Sequence, residues 1–343
     1  MSADIPAGLD PVALQRYFDA TVPEVSGPLR GELITGGKSN LTYRLTDGTH
    51  NWVLRRPPLG PLTPTAHDMA REFRIVHALG ATDVPVARAV ALCEDLDVLG
   101  VPFAVASFVE GRTLRDGDEA AALDPAQARA CSLALVDGLA ALHAVDYRAI
   151  GLDGFGRPAG YLERQVRRWR GQWDRVATRD SADIDRLTAG LAAALPEQAG
   201  ATIVHGDYRL DNTILTPDCG RIAAVVDWEM ATLGDPLADV GLLQVYWDGV
   251  TEPVLGTRHA PSANPGFLDS AGIAERYAVR TGRPIDNLAF YRALGYYKLA
   301  VIAEGIHQRF LAGKTVGDGF AAIGAAVPDL LTAGLTELSQ PPH

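Results

Sequence analysis

The stretch IVHGDYRLDNTILTPDCGRIAAVVDWE, residues 203–229, decides the fold, because its polar residues surround two short apolar runs. Residues 213–216 and 221–226 are predicted strands, and the segment between them has the Pro, Asp and Gly residues of a tight turn. A hairpin of this length brings Asn212 and Asp227 out together at its open end. The sequence therefore predicts that an amide oxygen and a carboxylate converge.

Three oxygen-bearing side chains of this stretch are predicted to have separate chemical roles. Asn212 and Asp227 offer hard oxygen ligands, which suit Mg²⁺ better than a metal that prefers softer ligands. Asp207 lies five positions before Asn212, so a loop lets it face the same space without ligating the metal. Its carboxylate is then free to accept the proton of a substrate hydroxyl. The plainer interpretation is that each carboxylate is only a turn former.

The string HGDYRLDN, from His205 to Asn212, has the H-x-D-x-x-x-x-N spacing of a kinase catalytic loop. The sequence resembles the aminoglycoside phosphotransferase and choline kinase superfamily, which is protein-kinase-like. Within it, the chain is most similar to the phosphotransferase-like domains related to those fused to acyl-CoA dehydrogenases. The segments VHGDYRLDN, VVDWEMATLGDPLADVG and NWVLRRPP carry this resemblance. It implies ATP and Mg²⁺ as cofactors, with Asp207 as the catalytic base and Asn212 and Asp227 as metal ligands.

The pattern of apolar residues predicts an α+β fold with two lobes, in agreement with the protein-kinase-like fold that the resemblance implies. Residues 1–106 alternate strand-like runs with turns and include one helical stretch, so we expect a small antiparallel-sheet N-lobe with one helix. Residues 107–111 are the expected interlobe linker. Residues 112–343 repeat apolar residues at intervals of three and four, which predicts a larger, mainly helical C-lobe.

A glycine pair in the N-lobe, Gly36 and Gly37, lies between two strand-like runs in ITGGKSN. Backbone amides there, together with Ser39, are expected to approach the phosphate oxygens of a nucleotide. A plain hairpin turn explains two glycines equally well. The apolar run that contains Ser107 and ends at Val109 resembles the linker whose backbone receives adenine. An ordinary core strand has the same composition.

Arg55 ends the run WVLR, where kinases carry the lysine that holds the α and β phosphates. Arginine can still neutralise phosphate and pair with a carboxylate, so the resemblance gives that role to Arg55. Glu72 is the expected partner, because it falls on the apolar helix face that we predict for Met69, Phe73 and Val76. A solvated glutamate at the edge of that face is the alternative.

Other polar residues are expected to be structural. Arg56 should lie on the opposite face of its strand and be solvated. His205 is expected to brace the loop as a buried side chain, and His143 to pack in a core. Asp235 is predicted to cap the helix that follows it. Asp239 resembles the family's buried aspartate that hydrogen-bonds the catalytic loop.

The composition disfavours several classes of partner. Forty-two acids against thirty-one bases give a formal charge of −11, which disfavours nonspecific attraction to nucleic acid or to anionic membranes. Three isolated cysteines suggest neither a disulfide framework nor a zinc site. The first twenty residues lack the pattern of a signal peptide, and we find no run long enough to span a bilayer. A cytoplasmic location is expected, and the oligomeric state stays open.

The acceptor is expected to be a small molecule that bears a hydroxyl. Only seven residues separate Asp227 from Asp235, which leaves no room for the long activation segment of a protein kinase. Residues 241–320 contain seven acids and eight bases, so this region does not favour a cationic aminoglycoside. The resemblance to acyl-CoA dehydrogenase-linked domains suggests a hydroxyacyl-CoA, while aminoglycosides and amino alcohols stay open.

Candidate acceptor residues in this region each have a plainer interpretation. Four basic residues could meet an anionic acceptor but are expected to be solvated charges on helix faces: Arg258, Arg292, Lys298 and Arg309. Three aromatic residues could line a pocket but are expected to be core: Trp247, Tyr296 and Tyr297.

The sequence favours an ATP- and Mg²⁺-dependent phosphotransferase that transfers the γ-phosphoryl group to a small-molecule hydroxyl. A nonenzymatic nucleotide-binding module of the same fold is the alternative, although intact Asp207, Asn212 and Asp227 argue against it. A metal-dependent hydrolase would explain the hairpin but not Arg55 or Glu72. The pattern does not separate ATP from GTP as the donor.

Overall fold

The described part of the chain forms two compact units. The structure, a computed structural model, describes residues 6–34, 40–59, 68–115, 117–247, 249–255, 260–313 and 320–340. The first unit is Met1–Glu110 with Ala223–Glu229, and the second is Gly111–Ile222 with Met230–His343. The segment that carries Asp227 thus belongs to the first unit, although it comes late in the sequence.

A five-stranded antiparallel sheet forms the first unit. Its strands are β1 Arg30–Leu33, β2 Leu41–Thr46, β3 Asn51–Arg56, β4 Ala89–Cys93 and β5 Phe103–Ser107. Their order in the sheet is β1-β2-β3-β5-β4. Strands β2 and β3 form an antiparallel hairpin. Asp47 closes its turn by accepting from the backbone N–H groups of Thr49 and His50 at 2.8 and 2.6 Å.

The first unit has more helix than the sequence pattern indicated. Its helices are α1 Pro11–Thr21, α2 Met69–Leu79 and α3 Leu96–Leu99. The predicted helix is α2, which begins where Asp68 accepts from Arg71 N–H at 2.9 Å. The expectation of a single helix is therefore wrong. Asp10 caps α1 and Pro11 takes its first position, a start signal that our reading of the sequence missed.

Helix α1 covers one face of the sheet and buries the β3 side chains that point toward it. Phe18 of α1 meets Trp52 of β3 edge to face, with the ring centroids 5.4 Å apart. Residues of β3 alternate between faces, so Trp52, Leu54 and Arg56 all point toward this covered face and are buried. The prediction of a solvated Arg56 is therefore wrong. Its guanidinium donates to the backbone oxygens of Gly8 and Pro57 instead.

The second unit is mainly helical. Its helices are α4 Gly117–Ala121, α5 Pro125–Ala144, α6 Tyr161–Val176, α7 Ala182–Ala193, α8 Leu237–Tyr246, α9 Glu252–Leu255, α10 Ser270–Thr281, α11 Leu288–Leu311, α12 Phe320–Ala325 and α13 Val327–Ser339. Three short strands, β6 Thr202–Val204, β7 Thr213–Leu215 and β9 Thr232–Gly234, accompany them, and β8 Ile222–Val225 continues into the first unit. The central helix is α11, which packs against α6, α8 and α13.

The turn predicted between residues 216 and 221 is present. Thr216 N–H donates to the backbone oxygen of Arg221 at 2.9 Å, and Cys219 N–H donates to that of Thr216 at 2.8 Å. Cys219 has a φ of 59°, which closes the turn in the left-handed region. The predicted strands on either side correspond to β7 and β8.

One apolar segment, Phe320–Ser339, has the length and hydropathy of a membrane span, which the sequence analysis did not expect. It comprises α12 and α13. Helix α13 packs against α7 and α11 and buries Val327, Leu330 and Leu331. Packing inside the second unit thus accounts for its apolar composition.

A glycine sets the distance between α8 and α11. A Cβ atom at Gly241 would lie 2.5 Å from Tyr291 Cβ and 2.6 Å from the Tyr291 carbonyl carbon. Both helices would have to separate to admit it, because backbone atoms of α11 are among those it would meet. Helix α8 therefore holds its position only with glycine at 241.

We expect Gly241→Ala to destabilise the fold by about 1–3 kcal/mol, because a methyl group must be forced between two packed helices. Chemical denaturation checks this. Gly154→Ala is the matched control, since a Cβ there would meet nothing within 4 Å. Equal free energies of unfolding for the two variants would contradict the close approach of α8 and α11.

Candidate active site

The backbone of the loop formed by residues 205–212 is held by a buried carboxylate. Asp239, in the first turn of α8, is 1% exposed. Its two oxygens accept from His205 N–H at 2.7 Å and from Gly206 N–H at 2.8 Å. The predicted support of the loop by Asp239 is therefore confirmed. Gly206 has a φ of 79°, and a Cβ there would lie 2.8 Å from the backbone oxygen of Met230, so glycine is required.

A buried histidine completes the surroundings of Asp239. His143 Nε2 lies 3.3 Å from Asp239 Oδ2, and His143 Nδ1 lies 2.8 Å from Tyr277 Oη. Burial by itself would raise the pKa of Asp239, but His143 and the loop N–H groups hold that pKa below its usual value. The prediction of a packed His143 is confirmed, and contact with Asp239 gives it a second role.

The carbonyl side of the loop is held from α11. Lys298 Nζ donates to the Gly206 oxygen, and the ammonium lies 5.8 Å from the centroid of the Trp169 ring. Lys298 is 8% exposed, so the prediction of a solvated charge is wrong for this residue. The reason is that α11 is packed on several sides, and a cation on it has to find partners inside the unit.

Both carboxylate oxygens of Asp207 carry hydrogen bonds within the second unit. Asn212 Nδ2 donates to Asp207 Oδ2 and to the Asp207 backbone oxygen, each at 2.9 Å. The Tyr246 hydroxyl donates to Oδ1, and Arg209 Nε lies 3.5 Å from Oδ2. Burial would raise the pKa of Asp207, but Arg209, Lys298 and Tyr246 hold it below its usual value. Asp207 is therefore an ionised carboxylate in a partly buried setting.

Sequence reasoning missed Tyr246. The residue is aromatic and lies on a helix, and such residues are usually core. A signal was present, because Tyr246 follows Asp239 by seven positions and so lies on the same face of α8, two turns along. His205, also buried, braces the loop as predicted by accepting from Asp207 N–H through Nδ1 at 3.2 Å.

Asn212 has the chemistry of a cation ligand. Both protons of its amide nitrogen are directed at Asp207, so the amide oxygen is the part of the side chain left for a ligand. An amide oxygen is a hard donor of the kind that Mg²⁺ accepts. Among the described residues, no group of three or more His, Cys, Asp or Glu side chains could hold a metal ion. A cation bound by Asn212 or Asp227 would therefore need oxygens from water or from a bound molecule.

The first unit places Asp227 in an ion-paired cluster. Arg55 Nη2 donates to Asp227 Oδ1 at 2.8 Å. Asp227 has a φ of 66°, a left-handed conformation that side chains other than Asn and Asp rarely adopt. Such backbone conformations concentrate at functional sites. The carboxylate is 30% exposed, so it stays open to a ligand from one side.

Arg55 also meets Glu72, as the sequence predicted. Arg55 Nε lies 3.0 Å from Glu72 Oε1, close enough for an ion pair although the two groups are not aligned for a hydrogen bond. Glu72 is 7% exposed, so the alternative of a solvated glutamate is wrong. Burial raises the pKa of Glu72 to about 7, while Arg55 acts in the opposite direction. One guanidinium thus serves two carboxylates.

The buried face of α2 differs in detail from the predicted one. Met69, Glu72, Ile75 and Leu79 are its buried residues. Phe73 is only partly buried, and its ring stacks on His77 with centroids 5.9 Å apart. The predicted face of Met69, Phe73 and Val76 was therefore rotated toward solvent, although Glu72 belongs to both versions.

The remaining nucleotide-side predictions lie at the end of β5 or outside the described residues. Ser107 ends β5, where its N–H donates to the Arg88 oxygen at 2.8 Å and its hydroxyl accepts from Arg88 N–H at 3.0 Å. Val109 follows the strand and is partly buried. Gly36, Gly37 and Ser39 lie outside the described residues, so their phosphate contacts stay predictions.

Asp235 accepts a hydrogen bond at the start of α8, but the N-cap residue is Pro236, one position after the predicted one. Its Oδ1 accepts from Leu237 N–H at 3.0 Å. Its Oδ2 accepts from Ala199 N–H and from the Tyr291 hydroxyl, both at 2.9 Å. This buried carboxylate therefore ties the start of α8 to α11, and burial raises its pKa.

The aromatic candidates on the acceptor side are core residues. Three of them are fully buried in the second unit: Trp247, Tyr296 and Tyr297. Arg292 pairs with Glu337 at 2.7 Å, Arg309 is exposed, and Arg258 lies outside the described residues. A pocket opens instead beside Gly206. Its walls include Arg168, Trp169, Met230, Leu242, Leu294 and Lys298.

The chain matches known proteins over most of its length. A sequence profile described as the phosphotransferase enzyme family matches residues 30–271. Acyl-CoA dehydrogenase family member 11 of Gallus gallus is 36% identical over 342 residues, which are 96% of this chain and 44% of that protein. The chain thus spans less than half the length of this relative.

Solved structures agree with the sequence comparison. A Ralstonia eutropha protein provisionally described as an aminoglycoside phosphotransferase is 35% identical, with a TM-score of 0.82 over 96% of this chain and 98% of that one. An aminoglycoside phosphotransferase solved in ternary complex with AMP-PNP and hygromycin B has a TM-score of 0.60 at 18% identity, over 94% and 98% of the two chains. The second likeness concerns the fold alone.

These matches agree with the predicted kinase-like fold. The sheet of the first unit and the helices of the second are the two parts of that fold. The chain belongs to the phosphotransferase enzyme family, whose kinase-like fold it shares with the aminoglycoside phosphotransferases.

Proposed function

We propose that this chain is a kinase that transfers the γ-phosphoryl group of ATP, with Mg²⁺, to the hydroxyl of a small molecule. The observation that carries the proposal is the state of Asp207. Its carboxylate has the spacing of a kinase catalytic base, stays ionised, and is held by hydrogen bonds on both oxygens.

Nucleotide use is supported by the first unit. Arg55 has the strand position of the kinase lysine, and Glu72 neutralises part of its charge as the corresponding glutamate does in kinases. Structures of the same fold are bound to AMP-PNP or to GDP, which supports a nucleoside triphosphate as the donor. We assign the phosphates to Arg55, with Gly36, Gly37 and Ser39 as the proposed cover, and adenine to the backbone at Ser107 and Val109.

Asn212 and Asp227 would hold the magnesium ion. An amide oxygen and a carboxylate fit a cation that retains water and phosphate oxygens as its other ligands. When bound, the ion would neutralise the charge that develops on the transferred group. Arg55 already contacts Asp227, so the same guanidinium that meets phosphate also fixes the direction of this carboxylate.

Asp207 is proposed to orient the acceptor and to take its proton. The acceptor oxygen forms a bond to the γ-phosphorus, the bond from that phosphorus to the bridging oxygen breaks, and ADP leaves. The hydroxyl proton passes to the Asp207 carboxylate. Because little covalent work falls to the protein, the fixed position of this carboxylate supplies most of its contribution.

The pocket beside Gly206 supports an acceptor with an anionic part. Lys298 and Arg168 are its cations, while Asp239, its one carboxylate among the described lining residues, already accepts from two N–H groups and contacts His143. A polycationic aminoglycoside would meet like charge there. A hydroxyacyl-CoA carries the complementary charge and agrees with relatives named for acyl-CoA dehydrogenases. The buried free thiols of Cys93, Cys131 and Cys219 support the proposed cytoplasmic location.

We expect Asp207→Asn to abolish phosphoryl transfer while leaving ATP binding within about twofold, because the amide keeps the shape but cannot accept the proton. The measurement is mass spectrometry for a phosphoryl gain after incubation with Mg-ATP and pooled aminoglycosides, amino alcohols and hydroxyacyl-CoAs. Nucleotide affinity is measured on the same preparations by calorimetry.

Asp218→Asn is the matched control for Asp207→Asn. Asp218 is an exposed carboxylate of the adjoining turn, and its bonds to Thr216 and Gly220 are local. The control should return wild-type amounts of product. An Asp207→Asn protein that phosphorylates as fast as wild type would refute the assigned base.

Glu72→Gln is expected to raise the KM for ATP about tenfold, because Arg55 loses a charged partner that fixes its direction. The substitution preserves volume, so the thermal midpoint should change little. Steady-state kinetics with varied ATP provides the measurement. Glu32→Gln, which removes an exposed carboxylate from β1, is the control and should leave the KM unchanged. Unchanged nucleotide kinetics in Glu72→Gln would remove the ion pair from the account.

A further inference from the structure

Tyr246 contacts the proposed base directly. Its hydroxyl donates to Asp207 Oδ1, while Asn212 Nδ2 donates to Oδ2 of the same carboxylate at 2.9 Å. Tyr246 is 5% exposed and lies at the last position of α8. Burial raises the pKa of its phenol well above the usual value, with Asp207 adding to the effect. The phenol is therefore a fixed donor and does not compete for a proton.

Helix α8 contacts both the backbone of the loop and the Asp207 side chain. Asp239 in the first turn of α8 binds the loop N–H groups, and Tyr246 in its last turn binds the Asp207 side chain. Tyr246 comes seven positions after Asp239, which places both on one face of the helix. Because Asp235 and Gly241 fix α8 against α11, the phenol has a defined position relative to the loop backbone.

The ring of Tyr246 is fixed as well. The Arg209 guanidinium lies 5.4 Å from its centroid, and Arg209 Nη2 pairs with Asp211 at 3.0 Å. A cation over a tyrosine face is attracted by the π electrons. Arg209 therefore contacts the Tyr246 ring, and its Nε also approaches the Asp207 carboxylate. The phenol and the carboxylate cannot rotate independently of each other.

The hydrogen-bond count leaves each oxygen of Asp207 able to accept from a substrate hydroxyl. An ionised carboxylate has about four lone-pair sites over its two oxygens. Tyr246 takes one on Oδ1 and Asn212 takes one on Oδ2, so each oxygen keeps a single free direction. A carboxylate without the phenol could turn about its side-chain torsions and lose that direction.

We propose that Tyr246 is a positioning residue, which fixes the Asp207 carboxylate so that its free lone pair meets the acceptor hydroxyl. This inference rests on the proposed function, because it assigns Tyr246 a role only through Asp207. It predicts that loss of the phenol oxygen slows the transfer step and leaves nucleotide binding as it was. A residue that merely fills the core would affect stability without separating the two kinetic constants.

The first test is Tyr246→Phe, assayed by phosphate release from Mg-ATP with water as the acceptor. We expect kcat to fall about ten- to a hundredfold, the range expected for a misplaced reacting group, with the KM for Mg-ATP unchanged within about twofold. Tyr297→Phe is the matched control. That residue is buried, and its hydroxyl contacts Thr188 Oγ1 at 2.8 Å outside the loop. It should keep the wild-type kcat.

A second measurement needs no turnover at all. Urea unfolding of wild type, Tyr246→Phe, Asp207→Ala and the double variant forms a double-mutant cycle. Loss of the phenol should lower the folding equilibrium constant about tenfold or more in the wild-type background, because a bond to a charged group is lost. In the Asp207→Ala background it should be neutral or stabilising, since the hydroxyl has already lost its acceptor.

The two measurements separate this inference from the proposed function. An Asp207→Asn protein with wild-type phosphate release would overturn the base itself. If Asp207→Asn is inactive but Tyr246→Phe keeps its kcat, the positioning role is wrong. Equal costs of Tyr246→Phe in both backgrounds of the cycle would also overturn it, because the hydroxyl would then not depend on Asp207.

Discussion

The structure of the loop depends on one buried interaction, the acceptance of two loop N–H groups by the Asp239 carboxylate. An unpaired charge with 1% exposure would cost several kcal/mol. The N–H groups of His205 and Gly206 would each cost about 1–3 kcal/mol if they were buried without acceptors. Each group therefore needs the other, and the loop has little choice of conformation. Lys298 adds a third fixed point on the Gly206 oxygen, so Asp207 leaves the loop from a backbone held on both sides.

In the first unit, one arginine pairs with two carboxylates. Its planar guanidinium has donors on separate nitrogens, so Arg55 contacts Glu72 through Nε and Asp227 through Nη2 at the same time. A lysine would present a single point charge to both carboxylates. The arginine thus couples a helix of the sheet unit to the left-handed residue Asp227 that comes after β8.

Most of the correct predictions came from the spacing of residues along the sequence. The loop and the turn between β7 and β8 follow from residues that are close in sequence, and the Arg55–Glu72 pair follows from a glutamate placed among the apolar residues of α2. The failures have a common cause, since Arg56, Lys298 and Tyr246 are polar or amphipathic side chains whose partners come from distant elements. Helix α1 covers the face that receives Arg56, and the packing of α11 buries Lys298. The periodicity of a sequence does not indicate which element covers a given face of a helix or strand. The burial of such residues is therefore known only from the fold.

The central claim is phosphoryl transfer to a small-molecule hydroxyl, and phosphorus NMR of the protein with Mg-ATP and pooled hydroxyacyl-CoAs, amino alcohols and aminoglycosides tests it most directly. The account predicts that the γ-phosphate signal declines while a phosphomonoester signal grows, and that this signal requires an acceptor. Inorganic phosphate formed at the same rate with and without acceptors would contradict the account in favour of a hydrolase. Bound but intact ATP would contradict it in favour of a nucleotide-binding module.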